Sequence, residues 1–479
     1  MTLMAADRRT KRLLLIEPPF YRLYGERYGL VKYPLSLAYL SMAVKERTDW
    51  EVRVLNADFA AASDPFDITY LTGEGFRHYT ENLENPAAGI WQSIRSALVE
   101  YQPSAIGISV KSSSLAAAYQ IAGMVKDLNR DAIVIAGGPH PSATGPEMLG
   151  NPHIDICVAG EGERTLVELL PAIERGIPLQ DVPGLFFRNG PHPEGTPRRE
   201  PVSNLDALGY PCRYAREVLI GYEDYPRSAF GYLFATRGCP NHCLFCGSRE
   251  VWGRKTRFRS PQHVAGEIAY LRSIGLNSFH FDDDTFGVNN AYLQNLCRAL
   301  ARHCPSIEWS CEIHVQLVKE ENIALMKMAG CKMIQLGIES GNNGMLAKVR
   351  KGFTIEEALA ASRMITGRGI RLHTFFMAGF PWETQKTLLD TKKVIEEIEC
   401  EKIIYSLFTP YPGTEAFRLC QAEGLIPERY LPSLFGHQSP HNCFCKHLSP
   451  EQFRTLSRDI EETVVTRNRA GRENLLPDP

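Results

Sequence analysis

The 479-residue chain carries 53 Lys and Arg against 55 Asp and Glu, a formal net charge of −2, with 44% hydrophobic and 23% charged residues. This is ordinary globular usage and excludes a largely disordered chain. The balanced charge gives no support to a nucleic-acid or anionic-membrane surface. No window approaches the roughly 18 consecutive apolar residues of a membrane span.

Arg8, Arg9, Lys11 and Arg12 precede an apolar stretch, as in a signal peptide. That stretch is only Leu13 to Ile16, and Glu17-Pro18-Pro19 ends it, too short for an export signal. The expectation is a soluble cytoplasmic enzyme. Short apolar runs follow at Arg12–Ile16, Glu51–Leu55, Ala105–Val110, Ala132–Ala136 and Asp155–Ala159. Amphipathic segments, among them Leu35–Arg47 and Leu115–Asn129, fall between them. Strands alternating with helices predict βαβ units, so residues 10–187 are expected to form a Rossmann-like, doubly wound α/β domain. Arg188–Pro201 is rich in Pro, Gly and charge, and 188–225 reads as a linker.

A second alternation occupies 226–424. Strands are expected at Tyr232–Thr236, Ser278–Asp282, Glu308–Ile313, Met333–Gly337, Arg371–Phe376 and Lys402–Phe408. Helices are expected at Pro261–Ser273, Ala291–His303, Lys319–Ala329, Ile355–Arg368 and Thr384–Glu397. Thr354 with Glu357 forms a capping box that fixes the fourth helix start. Six βα units predict a partial (β/α)6 barrel of the TIM type, whose chemistry gathers at the C-terminal strand ends. The segment 425–479 adds Cys443-Phe444-Cys445 and a helix over Pro450–Arg467.

Thirteen cysteines, an odd number without an export signal, point to reduced thiols. Cys297, Cys304, Cys331, Cys400 and Cys420 read as small buried hydrophobes. Cys239, Cys243 and Cys246 differ: a C-x3-C-x2-C loop follows the first barrel strand. Three thiolates on one short loop suit a soft metal centre, iron–sulfur or zinc. Zinc wants a fourth ligand, and the candidate, His242, sits inside the loop. A [4Fe–4S] cluster with one open iron is the favoured reading.

With this motif the chain resembles the radical S-adenosylmethionine (SAM) superfamily over about 230–410. The resemblance implies that SAM chelates the open iron and is cleaved to methionine and a 5′-deoxyadenosyl radical. It further implies roles for side chains at the strand ends. Phe245 would lie near adenine, and Asp283 and Asp284 would take SAM's amino group. Glu312 would make a polar contact to SAM, and Glu339 and Ser340 would reach its ribose or methionine. The turn Gly379 to Glu383 would let backbone approach a ligand. His314 stands where many members carry Arg, which tilts that wall of the cavity toward proton transfer. The run Arg249, Arg254, Lys255, Arg257 and Arg259 reads as a solvated face or as a cradle for an anion. Cys443 or Cys445 is a candidate hydrogen-atom donor, against a plainer reading as partly buried thiols.

The N-terminal half, about 10–185, resembles the cobalamin-binding domain fused to many radical SAM enzymes. It carries Gly137-Gly138-Pro139-His140 and Gly160-Glu161-Gly162-Glu163 after strands, and Pro34 to Leu40 opening a helix. Ser109, Gly137 and Gly138 would line the slot for the nucleotide tail. The D-x-H-x-x-G motif that gives cobalt a histidine is absent; Glu17-Pro18-Pro19-Phe20-Tyr21 stands there. A second cluster, as in methylthiotransferases, lacks its cysteines, since Cys157 alone falls in this half.

The expected cofactors are thus a [4Fe–4S] cluster, SAM and cobalamin. The expected partners are a small-molecule substrate of specialised metabolism and a flavodoxin- or ferredoxin-type electron donor. Cobalamin-dependent C-methylation is the leading expectation. Radical dehydration of a sugar or aminoglycoside diol, ring formation and epimerisation are the alternatives. A non-enzymatic iron–sulfur carrier or zinc module fits poorly with carboxylates at a barrel mouth.

Overall fold

The computed structural model describes residues 11–473 except 62, 65, 66 and 191, with side chains to residue 470. Arg8 and Arg9 of the basic N-terminal group lie outside the described residues. Seven strands form the first sheet: β1 (Arg12–Glu17), β2 (Glu51–Asn56), β3 (Ala105–Ser109), β4 (Ile133–Gly137), β5 (Ile156–Val158), β6 (Leu185–Asn189) and β7 (His192–Gly195). Their order is β2-β1-β3-β4-β5-β6-β7, and the first five are parallel. The run Leu13-Leu14-Leu15-Ile16 is apolar at every position because both faces of a parallel sheet are covered. Leu13 and Leu15 enter one core with helix Leu35–Arg47, while Leu14 and Ile16 enter the other with helix Leu115–Leu128.

The sheet does not end at residue 187. The stretch assigned to a linker begins inside the antiparallel hairpin β6–β7, whose ladder runs to the Asn189–His192 pair and turns through Gly190 at φ +66°. Gly190 supplies the positive φ a tight hairpin needs, and Pro193 is tolerated because β7 is an edge strand. The remaining linker folds back onto the first domain. Ile220 N–H donates to Val54 O at 2.9 Å, and Tyr225 stacks on Phe59 with centroids 3.6 Å apart.

The second sheet holds β8 (Tyr232–Leu233), β11 (Ser278–Phe281), β12 (Glu308–Ile313), β13 (Cys331–Glu339), β14 (Arg371–Ala378) and β15 (Lys402–Leu407), in the order β15-β14-β13-β12-β11-β8. All pairings are parallel, giving the open six-stranded barrel. Between its first two strands, β9 (Thr236–Arg237) and β10 (Arg257–Phe258) form a small antiparallel pair. The capping box is present: Thr354 N–H donates to Glu357 Oε2 at 2.7 Å and Glu357 N–H to Thr354 Oγ1 at 3.3 Å. Helix Pro450–Glu473 closes the exposed edge of β15, where Asn468 accepts from Ile403 N–H and donates to Ile403 O, both at 2.8 Å. Side-chain pairing of this kind quenches a sheet edge. Among the described residues no helix is long and apolar enough to cross a membrane.

One buried ion network joins the domains. Glu161 and Glu163 leave the end of β5, and Arg237 and Arg257 come from β9 and β10. Arg237 Nη1 meets Glu161 Oε1 at 2.8 Å, Arg237 Nη2 meets Glu163 Oε1 at 2.6 Å, and Arg257 Nη1 meets Glu161 Oε2 at 2.8 Å. The Arg237 side chain is 3% exposed. Its guanidinium lies 4.9 Å from the ring centres of both Tyr39 and Trp252. Removing one member of a buried pair strands the other's charge, at roughly 3–5 kcal/mol. Arg237→Ala should therefore lower the urea midpoint followed by Trp252 fluorescence; an unchanged midpoint would show that the network does not hold the domains.

Candidate active site

The cysteine loop leaves β9 through Gly238, at φ +91°, where a Cβ would stand 3.0 Å from Lys255 O. Only glycine turns there without strain. The loop is pinned at its middle, because Leu244 N–H donates to Val349 O and Leu244 O accepts from Ala416 N–H, both at 3.1 Å. Phe245 packs on Phe380 with centroids 5.9 Å apart, within an aromatic core that includes Phe408 and Phe444. Cys239 and Cys243 are partly buried and Cys246 is exposed. Burial pushes the Cys239 thiol up to about 11. Among the described residues no three His, Cys, Asp or Glu side chains are gathered tightly enough to hold a metal ion; the sulfurs are grouped on one loop, not converged. The donor chemistry fits an iron–sulfur group, three thiols and one open position. It fits zinc poorly, since His242 Nδ1 is engaged by Arg254 at 2.5 Å.

The three aspartates after β11 do three different things. Asp282 pairs with Lys32 of the first domain at 2.6 Å. Asp283 is buried and braces the chain between β8 and β9, accepting from Ala235 N–H and Thr236 Oγ1, both at 2.7 Å. Burial raises its carboxyl to about 7. Asp284 accepts from Ser248 Oγ at 2.6 Å and lines the cavity beside Cys246. The repulsion inferred from the sequence is thus relieved by Lys32 and by separation, and Asp284 alone of the three faces the cavity.

Glu312 at the end of β12 is lifted to about 7 by burial and by Asp282, Glu339 and Asp284. A cation seated there would draw it back into the ionised range. Glu339, at φ +72°, pairs with buried Lys351 at 3.0 Å. Ser340 is fully buried and shares a hydrogen bond with Thr391 Oγ1 at 3.3 Å, so it serves packing between β13 and helix Gln385–Glu397. His314 is spent as well. Its Nε2 donates to Lys351 O at 3.0 Å and its Nδ1 accepts from Gln316 N–H at 3.4 Å, while burial lowers it to about 4. Neutral and bonded at both nitrogens, it does not serve the proton transfer expected of it.

Ser109, Gly137 and Gly138 come together with the cysteine loop. A cavity of about 490 Å³ is lined by these three and by Trp252, Cys246 and Asp284 from the barrel side. It opens over the carboxyl ends of β1, β3, β4 and β5, where doubly wound sheets bind ligands. Gly138 is needed for the backbone: its φ is +103° and a Cβ would meet Val110 N at 3.0 Å. Gly137 is different, since a Cβ there would meet nothing nearer than Val158 Cβ at 3.9 Å and would stand in the slot. The loop after β1, where the cobalt histidine is missing, is folded by Asp58, which accepts from Phe20 N–H at 2.8 Å and Arg22 N–H at 3.0 Å.

Two further expectations change. Arg257 and Arg259 are no solvated face: Arg259 pairs with fully buried Glu267 at 2.5 Å, as Arg257 does with Glu161. Cys443 and Cys445 do not line the cavity; the two free thiols share a hydrogen bond, which draws Cys443 down to about 7 and raises Cys445. Phe444 between them turns into the aromatic core on the other side. Sequence reasoning missed Lys32 and Lys351, which lie in loops leading into helices, and gave the carboxylates of Glu161 and Glu163 no task of their own. In the turn Gly379 to Glu383 it gave no task to the Glu383 carboxyl, fully buried and raised to about 8, which accepts from Gly379 N–H and Phe380 N–H.

The model of the radical SAM superfamily matches residues 233–395, and that of the B12 binding domain matches residues 21–170. Residues 233–395 thus carry the radical SAM domain, and a B12 binding domain lies ahead of it. An uncharacterized methyltransferase of Pyrococcus horikoshii is 28% identical over 420 residues, 87% of this chain and 84% of that protein. The cytidylyl-2-hydroxyethylphosphonate methyltransferase of Streptomyces wedmorensis is 25% identical over 465 residues, 88% and 84% of the two chains. The solved structure of the radical S-adenosylmethionine methyltransferase TsrM from Kitasatospora setae, with cobalamin and a [4Fe-4S] cluster bound, matches at TM-score 0.72. It is 17% identical, covering 95% of this chain and 89% of that one, and so shares the fold.

A side chain at Gly137 should compete with a corrinoid tail without disturbing the sheet. Gly137→Val is expected to retain the wild-type melting temperature yet lose most bound cobalamin after reconstitution, read from the corrinoid absorbance; full retention would place the tail elsewhere.

Proposed function

We propose that this protein is a cobalamin-dependent radical SAM enzyme that methylates a carbon of a small-molecule substrate. The observation that carries the reading is the single cavity shared by Gly137, Gly138 and Ser109 with Cys246 and Asp284. A corrinoid tail seated over the first sheet and a SAM molecule beside the cysteine loop would meet in that one space. The methyltransferases of Pyrococcus horikoshii and Streptomyces wedmorensis, alike over most of this chain, support the same reaction class.

The chain's own residues have definable tasks. Cys239, Cys243 and Cys246 would hold the cluster, and Asp284 and Glu312 would receive SAM's ammonium group. Leu37, Leu40, Ile135 and Val158 give the slot apolar walls that keep water from a reactive intermediate. The Lys111 ammonium, 2.7 Å from Glu17, holds the mouth of the slot at the end of β3. When bound, the cluster with SAM supplies a one-electron route to a substrate radical, and a methylated corrinoid supplies the methyl group. Dehydration of a diol is disfavoured because His314, the residue that spoke for proton transfer, has no free nitrogen.

Anaerobic reconstitution with iron, sulfide and cobalamin tests the reading. Cys243→Ala should keep its corrinoid, because the slot is built by the other domain, and should form no 5′-deoxyadenosine from SAM. Normal 5′-deoxyadenosine formation by that variant would remove the cluster assignment.

A further inference from the structure

Two strained turns meet at one buried ion pair beside the cysteine loop. Among the described residues five that are not glycine hold a positive φ, and two of them, Glu339 at +72° and Arg350 at +61°, flank this pair. Glu339 turns at the end of β13, and Arg350 follows helix Asn343–Lys348. The helix ends in a tight reversal: Arg350 N–H donates to Ala347 O at 3.1 Å and Lys351 N–H to Leu346 O at 3.0 Å. The left-handed position of such a cap is usually glycine or asparagine. Backbone held against its preference clusters at functional sites, where the surroundings over-determine it. What this turn delivers is the Lys351 ammonium, 3.0 Å from Glu339 Oε1.

The neighbours fix the turn from three sides. Leu244 N–H donates to Val349 O at 3.1 Å, so the cysteine loop and the turn share a hydrogen bond. His314 Nε2 donates to Lys351 O at 3.0 Å, and Gln316 Nε2 donates to Gly352 O at 2.6 Å. Gly337 leaves the space: a Cβ there would stand 2.6 Å from Glu339 Oε1 and 3.2 Å from Lys351 Nζ. Lys351 is the one buried lysine among the described residues, with its side chain 8% exposed. Burial works against its ammonium, but Glu339 and then Cys243 outweigh that and hold it above its ordinary range. Burial raises the Cys243 thiol in turn. Of the charges acting on that sulfur, Lys351, which favours the thiolate, outweighs Glu339, which opposes it. Pairing with Glu339 therefore does not cancel the lysine at the loop. Lys348 and Arg350 are exposed, where salt screens them, whereas a charge in the interior acts several times more strongly than one in water. Lys351 does not line the cavity that the two domains share.

We propose that Lys351 is the internal counter-charge of the iron–sulfur group on the cysteine loop, and that its buried ammonium raises that group's reduction potential. The inference rests on the cluster reading above and adds to it a residue outside the cavity. When one electron enters from a low-potential one-electron reductant, the reductant is oxidised by one and the thiolate-bound group gains one negative charge. No proton is taken up, and Lys351 is an ammonium before and after. A fixed positive charge nearby stabilises the reduced form more than the oxidised one. His314 and Arg350 are positioning residues for this charge, the first through Lys351 O and the second through its left-handed turn. That gives His314, which has no free nitrogen for proton transfer, a task in the same site.

The test is a dithionite titration of the reconstituted full chain without SAM, at matched iron content. The readout is the midpoint potential, followed by electron paramagnetic resonance of the reduced cluster. Lys351→Met should lower the reduced-to-oxidised ratio at the wild-type midpoint about tenfold, a downward shift of about 59 mV for one electron. Glu339→Gln leaves the lysine unopposed and should shift the midpoint upward. Lys351→Arg keeps the charge and should stay near the wild-type value. Opposite signs from the two halves of one ion pair are the mark of a charge effect; a disturbed fold would move both the same way. A Lys351→Met midpoint equal to wild type, or midpoints that fall in both variants, would overturn the assignment. If Lys351→Met takes up no iron, Glu339→Gln decides: a midpoint above wild type supports the assignment, and one at or below it overturns it. Unchanged midpoints with weakened SAM binding would also overturn it, by giving the lysine to SAM. A wild-type chain that assembles no reducible cluster would strike the cluster reading and this inference with it, and the iron assay tells that outcome apart.

Discussion

Everything at this site depends on a charge network that water does not reach. Arg237, Arg257, Glu161 and Glu163 lie between the domains at hydrogen-bond distances, all nearly devoid of solvent contact. Such networks are poor evidence of stability, because desolvation offsets most of the Coulombic gain. What they supply is register. Four charges that must all be paired tolerate one arrangement of the two domains and penalise a sliding or swivelled one. Since Arg237 is two residues before Cys239, and Glu161 and Glu163 follow β5, that arrangement places the cysteine loop over the carboxyl ends of the first sheet.

The same logic governs the barrel mouth. Asp282, Asp284, Glu312 and Glu339 crowd the ends of β11, β12 and β13. Protein cations answer two of them, Lys32 for Asp282 and Lys351 for Glu339. Asp284 has a serine hydroxyl and the Gly238 N–H but no cation, and Glu312 is pushed to about 7 by burial and by its like-charged neighbours. The mouth is left short of positive charge at the end nearest the cysteines, which is where a ligand bearing ammonium and sulfonium groups would complete it.

Much of this was legible in the sequence, for reasons that are local. Helix Pro261–Ser273 is found at its expected bounds, because Ser260 caps it and Pro261 sits where its missing N–H costs nothing. The C-x3-C-x2-C loop carries its chemistry in its spacing, and strands such as β12 are bounded by their own alternation. What failed was non-local. The hairpin β6–β7 was hidden because Pro, Gly and charge suit an edge strand as well as a linker. Asp283, Ser340 and His314 have the residue types of ligand contacts, but their partners, Thr236, Thr391 and Lys351, lie 47, 51 and 37 residues away in sequence. Composition cannot tell a carboxylate that braces a strand from one that faces a ligand. The network at Arg237 was invisible for the same reason.

The central claim is that one cavity serves both a corrinoid methyl donor and the SAM-cleaving loop, held together by the domain clamp. It is tested most directly by the products of a single preparation reconstituted with cluster and cobalamin and given a methylatable substrate. The account predicts S-adenosylhomocysteine and 5′-deoxyadenosine in equal amounts for each methylated product, since one SAM starts the radical and a second restores the methyl. Full turnover by cobalamin-free protein, with 5′-deoxyadenosine and no S-adenosylhomocysteine, would contradict it.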